Sequence, residues 1–321
     1  MKPFFSIITC TFNPDSKMLL RVISSVLNQE TNSEYEFLII DNNSTNDFLN
    51  NSIIKKKIES SSKIRIIKED KQGLVYARIS GVTNSNGEVI VFVDDDNELN
   101  RNYLEGVRKL ISEFPKVKAW GAGRINVDLF EGAESWVKKY MMSFYQQRDF
   151  SKTQFGNSAE WLDYYPVGSG LTIFKDSFRD YNVSFNTGQI TSTGRKGDSL
   201  ASGEDSQIIW TIIKNNEFVG SSPLLQLTHI IPRKRTTLEY LRKLNFNLSL
   251  SFFTSYKEIF NSDFKSLKKP NYKTFLGLFL KSLKSTHFNI SDSLKIFQLN
   301  KMWYLGYIKY LESDKHNLTI K

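Results

Sequence analysis

Five apolar residues in succession, Val89, Ile90, Val91, Phe92 and Val93, run directly into Asp94, Asp95 and Asp96. An unbroken apolar run of this length reads as a strand covered on both faces. Three adjacent carboxylates repel one another, at a cost that a cation or ligand has to offset. The stretch restricts the chain to folds in which a buried strand empties onto a polar, ligand-binding edge.

The preceding sequence supplies the rest of such a sheet. Residues 4–11, 36–40, 63–68 and 88–93 read as strands, and 15–28, 48–60 and 74–83 as helices. Alternation of this kind predicts parallel βαβ units. Ligands of such sheets bind outside the carboxyl ends of the strands. Those ends carry Thr11-Phe12-Asn13, Asp41-Asn42-Asn43 and Asp94-Asp95-Asp96. Their convergence is a site expectation drawn from the residues alone. Asp41 also reads as a helix N-cap or turn residue, with Asn43 and Ser44 as rivals for that cap.

Beyond residue 100 the pattern loosens. Residues 103–114 and 133–147 read as helical and 119–127 as extended. Residues 182–203, rich in Gly, Ser and Thr, read as a long mobile loop of the lid or binding type. A helix follows over 204–214 and a strand over 218–227. After Pro232 the chain is helical to its end, with breaks near Pro270 and Asn289. The division expected is residues 1–235 for binding and catalysis and 236–321 for a basic helical extension.

Several classes are excluded. No G-x-G-x-x-G follows the first strand, and there is no G-x-x-x-x-G-K-[ST]. The acidic run lacks the glycine of a calcium-binding EF-hand loop, and no Cys/His spacing suggests structural zinc. The single cysteine, Cys10, forbids an intramolecular disulfide framework and fits a reducing compartment. The apolar start is too short for a signal peptide, and no apolar run approaches the roughly 20 residues of a spanning helix. The expected location is cytoplasmic, at the inner face of the membrane if the C-terminal region touches it.

The net charge of +9 is unevenly placed. Residues 236–321 hold 14 Lys and Arg against 6 Asp and Glu, whereas residues 1–235 hold 29 against 28. Phe275, Leu276, Phe279, Leu280 and Leu283 recur at helical spacing beside Lys273, Lys281 and Lys284. Trp303, Tyr307 and Tyr310 form a second stripe. Both stripes read as core or dimer packing, or as a monotopic anchor on an anionic leaflet. Nucleic acid is not an expected partner.

An acidic cluster at a strand end suits a hard divalent ion, Mn²⁺ or Mg²⁺, which commonly bridges carboxylates to substrate phosphates. Here the motifs meet a family. "SIITCTFNP", "FLIIDNNSTND", "QGLVYARISG", "VFVDDDNEL" and "GEDSQIIWTII" occur in the order of the motifs of family 2 glycosyltransferases. The chain resembles these inverting enzymes of the GT-A fold over residues 4–235. The fold class implied is α/β: a mostly parallel central sheet flanked by helices, with a C-terminal helical extension.

The resemblance assigns roles. Thr11, Phe12 and Asn13 would line the base pocket, and Asp41 would accept a hydrogen bond from the base. Gly73 and Arg78 would approach the nucleotide, although Arg78 also reads as a surface helix cation. Asp94 and Asp96 match the two acids of a D-x-D motif. Asp96 would hold the metal, with Asp94 nearer ribose or a metal-bound water and Asp95 as a substitute for either. Asp205 matches the general base, with Glu204 as its fallback, while both also suit the first turn of a helix. Gly168, Ser169 and Gly170 resemble an acceptor-side segment. His229 would join the metal site, or is structural, and Arg233, Lys234 and Arg235 would neutralise a diphosphate or form a plain basic loop. The implied partners are a nucleotide-sugar donor, a UDP-sugar first among them, and a glycan or lipid-linked glycan acceptor in bacterial surface polysaccharide synthesis. Cys10 stands where the family usually has proline, and Ile79 where it often has asparagine. Two rival functions are a haloacid-dehalogenase-type phosphatase, for which Asp94-x-Asp96 would be the opening, and a catalytically silent glycan-binding protein.

Overall fold

A computed structural model of the chain describes residues 2–197, 199–264 and 269–318. Strands β1 (Phe5–Thr11), β2 (Tyr35–Asp41), β3 (Ile64–Lys68) and β4 (Val89–Phe92) alternate with helices α1 (Ser16–Leu27), α2 (Ser52–Glu59) and α3 (Leu74–Asn84). These four strands are mutually parallel, in the spatial order β3-β2-β1-β4. Their residues alternate between two apolar layers. Phe5, Ile7, Phe37, Ile39, Val89 and Val91 enter one core, and Ile8, Leu38, Ile40, Ile90 and Phe92 the other. A sheet covered on both faces is what near-continuous apolar strands require. Asp15 starts α1 by accepting from the backbone N–H groups of Lys17 and Met18 at 2.8 and 3.1 Å.

The sheet then becomes mixed. Beyond β4 come β9 (Thr172–Phe174), β6 (Val117–Asp128), β10 (Phe218–Ile230) and β5 (Asn97–Leu99), with β7 (Arg148–Asp149) on β6 and β8 (Gln154–Gly156) on β10. β9 runs antiparallel to β4 and β6, β10 parallel to β6, and β5 antiparallel to β10. Helix α4 (Tyr103–Glu113) packs against β10. The region expected to be helical over 133–147 divides into α5 (Ser135–Tyr140) and a short 3-10 turn at Ser143–Tyr145.

Helix α6 (Arg179–Asn186) extends into the segment read as a long loop, and helix α7 (Glu204–Lys214) follows it. The three C-terminal helices are α8 (Leu238–Phe260), α9 (Tyr272–Ser285) and α10 (Ile290–Leu318). Trp210 of α7 meets Phe252, Tyr256 and Phe260 of α8 at ring-centroid distances of 5.1, 5.4 and 6.4 Å. Trp303, Tyr307 and Tyr310 of α10 pack with Phe253 of α8, so the second aromatic stripe is core. Among the described residues no helix is long and apolar enough to cross a membrane.

Candidate active site

The carboxyl edge of the parallel strands brings most of the expected residues together. Thr11 and Asp41 are direct partners in the β1–β2 register. The Thr11 hydroxyl donates to Asp95 Oδ2 at 2.5 Å, joining the end of β1 to the end of β4. Asp94 to Asp96 form the tight turn from β4 to β5, closed by the Asn97 N–H on the Asp94 carbonyl at 3.0 Å. Pairing of Asn97–Leu99 with Leu227–His229 carries His229 to this turn.

Asp96 is the innermost of the three acids. Its Oδ1 accepts from Asn97 Nδ2 at 2.7 Å, and its Oδ2 from Arg235 Nη1 at 2.5 Å. His229 Nε2 lies 3.7 Å from the same Oδ2, while Nδ1 faces the Tyr145 carbonyl at 3.0 Å. That contact suits a proton on Nδ1, and a second proton on Nε2 would face the carboxylate. Burial alone would raise Asp96, but Arg235 and His229 hold it well below the usual carboxylate range. For His229, the nearby Asp96 charge outweighs burial and raises it, so a cation binding here would displace a proton.

The donor chemistry of Asp96 with His229 fits a divalent ion that keeps some positions for phosphate and water. Among the described residues no three His, Cys, Asp or Glu side chains already converge as a cage. Arg235 supplies the positive charge that Asp96 needs in this arrangement. It belongs to the basic run read from the sequence as a diphosphate counter-charge.

Burial, with repulsion from Asp96, pushes Asp94 and Asp95 up to about 6, although Arg78 opposes this at Asp94 and the Thr11 hydroxyl at Asp95. The Asp94 side chain is 35% exposed, and water there tempers the desolvation. The sign follows. The folded state keeps protons that the unfolded chain releases near about 4. The stabilisation they confer is full below that value and is lost as pH rises through about 6. Metal-free protein should lose stability over this window, and Mn²⁺ should raise the melting temperature more at about pH 7 than at about pH 5. Differential scanning fluorimetry reads both; a metal effect indifferent to pH would place the ion elsewhere.

Arg78 is not a surface cation. Its side chain is 2% exposed, with Nη2 3.8 Å from both Asp94 Oδ1 and Glu204 Oε1, and its guanidinium lies 5.0 Å from the Phe92 ring centroid. Glu204 faces inward on the other side, raised by burial, with Arg78 opposing. Arg78 Nη1 and Glu204 Oε2 are buried without hydrogen-bond partners. Asp205 is half-buried, and its charge is felt by Arg78 and Glu204. Its Oδ2 accepts from the Gly168 N–H at 2.8 Å, and its Oδ1 from the Ser206 N–H at 2.9 Å. A Cβ on Gly168 would stand 3.0 Å from that Oδ2 and crowd it. Ser169 is 2% exposed, and Gly170 packs against Tyr103 and Leu227, so both face the interior while Gly168 meets Asp205.

Phe12 is half-buried and Asn13 exposed. Asn13 Oδ1 accepts from the Thr45 and Asn46 N–H groups at 2.7 and 2.9 Å, tying the β1 and β2 exits together. Asp41 Oδ1 accepts from the Ser44 N–H at 3.0 Å, the turn-forming role read as its alternative. Gly73 starts α3 at φ +142°, where a side chain would be strained and would meet the Thr193 carbonyl. The first N–H groups of α3, from Leu74 and Val75, donate to the Arg195 and Thr193 carbonyls. Cys10 is a core neighbour whose thiol is pushed up by burial.

Of three further contributors, Asn42 was read only as part of a polar strand end, and Arg195 and Glu258 escaped the sequence reading. Asn42 orders residues 69–73 by donating to the Glu69 and Lys71 carbonyls and accepting from the Gly73 N–H. Arg195 adds positive charge felt by Asp94, Asp95, Asp96 and Glu204. Glu258 of α8 accepts from Thr191 Oγ1 at 2.6 Å and from Gln207 Nε2 at 2.8 Å. With the Ser202 N–H on Ser251 Oγ, it fastens the loop before Glu204 to α8. The polar composition of that loop gave no sign of this docking.

Residues 6–180 match the family described as Glycosyl transferase family 2, which is more than half of the 321 residues. The chain belongs to glycosyl transferase family 2. As a family 2 glycosyltransferase it is similar to polypeptide N-acetylgalactosaminyltransferase 11 of Xenopus tropicalis, 30% identical over 117 residues that span 36% of this chain and 20% of that one. The inactive polypeptide N-acetylgalactosaminyltransferase-like protein 5 of Macaca fascicularis is 32% identical over 117 residues, again 36% of this chain and 26% of the relative. The chain thus covers between a fifth and about a quarter of these curated relatives. The solved structure of GalNAc-T7 with UDP, GalNAc and Mn²⁺ superposes with a TM-score of 0.52 at 14% identity, covering 96% of this chain and 57% of that one. The fold is that of GT-A glycosyltransferases. Asp205, His229 and Arg235 lie beyond the matched segment and are tied to it by the contacts above.

Proposed function

We propose that this family 2 glycosyltransferase is inverting. It moves a sugar from a nucleotide-diphosphate donor, a UDP-sugar, to a hydroxyl of a glycan or lipid-linked glycan. The observation that carries the reading is the separation of two carboxylate functions. Asp94, Asp95 and Asp96 cluster at the end of β4, whereas Asp205 belongs to a separate element, at the start of α7, where the Gly168 N–H holds it beside the buried Arg78.

An inverting transfer forms a bond from the acceptor oxygen to the anomeric carbon as the bond to the diphosphate oxygen breaks. The diphosphate leaves with the electron pair, and the acceptor proton goes to a base within hydrogen-bond reach. Asp205 is that base: half-buried, with its carboxylate oriented by the Gly168 N–H. Glu204, buried against Arg78, supports the site from below rather than reaching a hydroxyl. Asp96, Asp94 and His229 would hold Mn²⁺ or Mg²⁺, which when bound supplies positive charge to the leaving diphosphate. Arg235 is within reach of the same charge and steadies Asp96. The ends of β1 and β2, at Thr11, Phe12 and Asp41, form the base side of the donor site. We assign the reaction to bacterial surface polysaccharide assembly at the cytoplasmic face of the membrane.

A thermal-shift panel of UDP-, GDP-, CDP- and dTDP-sugars, with and without Mn²⁺, tests the donor. The expected result is stabilisation by a UDP-sugar that depends on the metal; no response to any donor would sink the reading. The anomeric configuration of the product, read by NMR, tests the mechanism: retention would remove Asp205 as the base. Lipid-linked saccharide acceptors set against peptides test the pathway.

A further inference from the structure

We propose that the α9–α10 hairpin is a docking surface for an anionic lipid leaflet. Among the described residues, ten large hydrophobic side chains are exposed, and six of them fall within residues 272–294. Tyr272, Leu276 and Leu280 are 74, 56 and 55% exposed and recur every four residues, which sets them along one face of α9. Phe288, Ile290 and Leu294, at 69, 68 and 44%, continue the apolar surface around the turn and onto α10. The other face of α9 is packed: Phe275 and Phe279 meet Tyr304 and Phe297 of α10 at 6.3 and 5.6 Å. The first stripe read from the sequence is therefore split, half inside the hairpin and half facing out.

The turn holds that surface in place. Thr286 Oγ1 and Ser293 Oγ, both buried, are hydrogen-bonded at 2.5 Å, and Ser293 Oγ donates to the Asn289 carbonyl at 2.6 Å. His287 and Phe288 both adopt positive φ, +51° and +62°. A bulky residue rarely accepts that conformation, and its cost persists only where surrounding contacts enforce it. Here the outcome is a phenyl ring directed into solvent rather than into the core.

Charge selects the occupant. Lys269, Lys273, Lys281 and Lys284 are exposed beside the apolar stripe, while Asp292, the one acid between residues 269 and 294, has a side chain only 19% exposed. Pairing with a second copy through a two-fold axis would set this cationic face against itself. An anionic leaflet accepts the lysines and the apolar side chains together, as interfacial helices do. Such docking suits a lipid-linked acceptor but does not depend on one.

Flotation of the full chain with vesicles tests the surface. The protein should float with vesicles containing phosphatidylglycerol and stay behind with pure phosphatidylcholine, and salt should release it. Each Lys→Gln exchange at 273, 281 and 284 should weaken binding about fivefold. The double variant Phe288→Ser, Ile290→Ser should abolish flotation, while donor-induced thermal stabilisation stays as in the parent. That last readout separates failure of this proposal from failure of the glycosyltransferase reading. Two results would overturn it: flotation unaffected by these changes, or a concentration-dependent dimer that the Phe288/Ile290 variant dissolves without any binding to vesicles.

Discussion

Asp205→Asn is expected to leave the protein folded and competent for donor binding while transfer falls by about 10²–10⁴-fold, the usual worth of a positioned general base. Asparagine keeps an oxygen that can accept from the Gly168 N–H, the contact that aligns the native carboxylate at 2.8 Å. It does not keep basicity. The residue is half-buried at the start of α7 with no ion pair among the described residues; its charge reaches the buried Arg78, but Asp94 and Glu204 remain there as the nearer countercharges. The measurement is sugar transfer beside donor affinity on the same preparation. Loss of both would mean that Asp205 shapes the donor site, and full transfer would move the base elsewhere. Glu204→Gln should behave differently, because Glu204 is 4% exposed and faces Arg78. Its main readout is stability.

Arg78→Met should cost about 3–5 kcal/mol of stability, the usual price of leaving buried charge without its partner. Arg78 stands between Asp94 and Glu204 at 3.8 Å from each. Without it Glu204 faces a poorly solvated interior and, already raised, would take up a proton more readily, while Asp94 keeps partial access to water. The melting temperature should drop by on the order of 10 °C. Arg78→Met combined with Glu204→Leu should recover much of that loss, since apolar replacement of a whole buried pair is often neutral. A single-variant loss under about 1 kcal/mol would show that water compensates the pair in solution.

The sequence was most informative where burial is local. Strands β1 to β4 are apolar along their length because both faces are covered, and that pattern is visible without a partner. The three polar strand ends followed from it, as did α7, whose bounds match the expected 204–214. The pattern was silent where a partner creates the element. β5 is only Asn97-Glu98-Leu99, and β9 only Thr172-Ile173-Phe174; each is a strand because neighbouring strands complete its hydrogen bonds. The cations Arg78 and Arg235 were named in the sequence reading, but their partners were hidden for a similar reason. Arg235 meets Asp96 across 139 residues of sequence, a pairing no local pattern encodes. Arg78 read either as a nucleotide contact or as a surface cation; α3 also buries Val75, Ala77, Gly81 and Val82, and the arginine goes inward with them.

The docking of the loop before Glu204 onto α8 sets a schedule for the molecule. Ribosomes deliver the N-terminal strands first, and these can form their sheet while the rest is still being made. The turn bearing Asp94 to Asp96 waits longer, because β5 pairs with β10 and Asp96 is held by Arg235. Asp205 waits longest. The loop leading to it fastens to Ser251 and Glu258, and Trp210 behind it is covered by Phe252, Tyr256 and Phe260. The strand ends proposed to bind the donor thus exist as a folded edge before Asp205, the proposed base, has a fixed position, and on that reading a nascent chain stays incomplete until α8 has emerged.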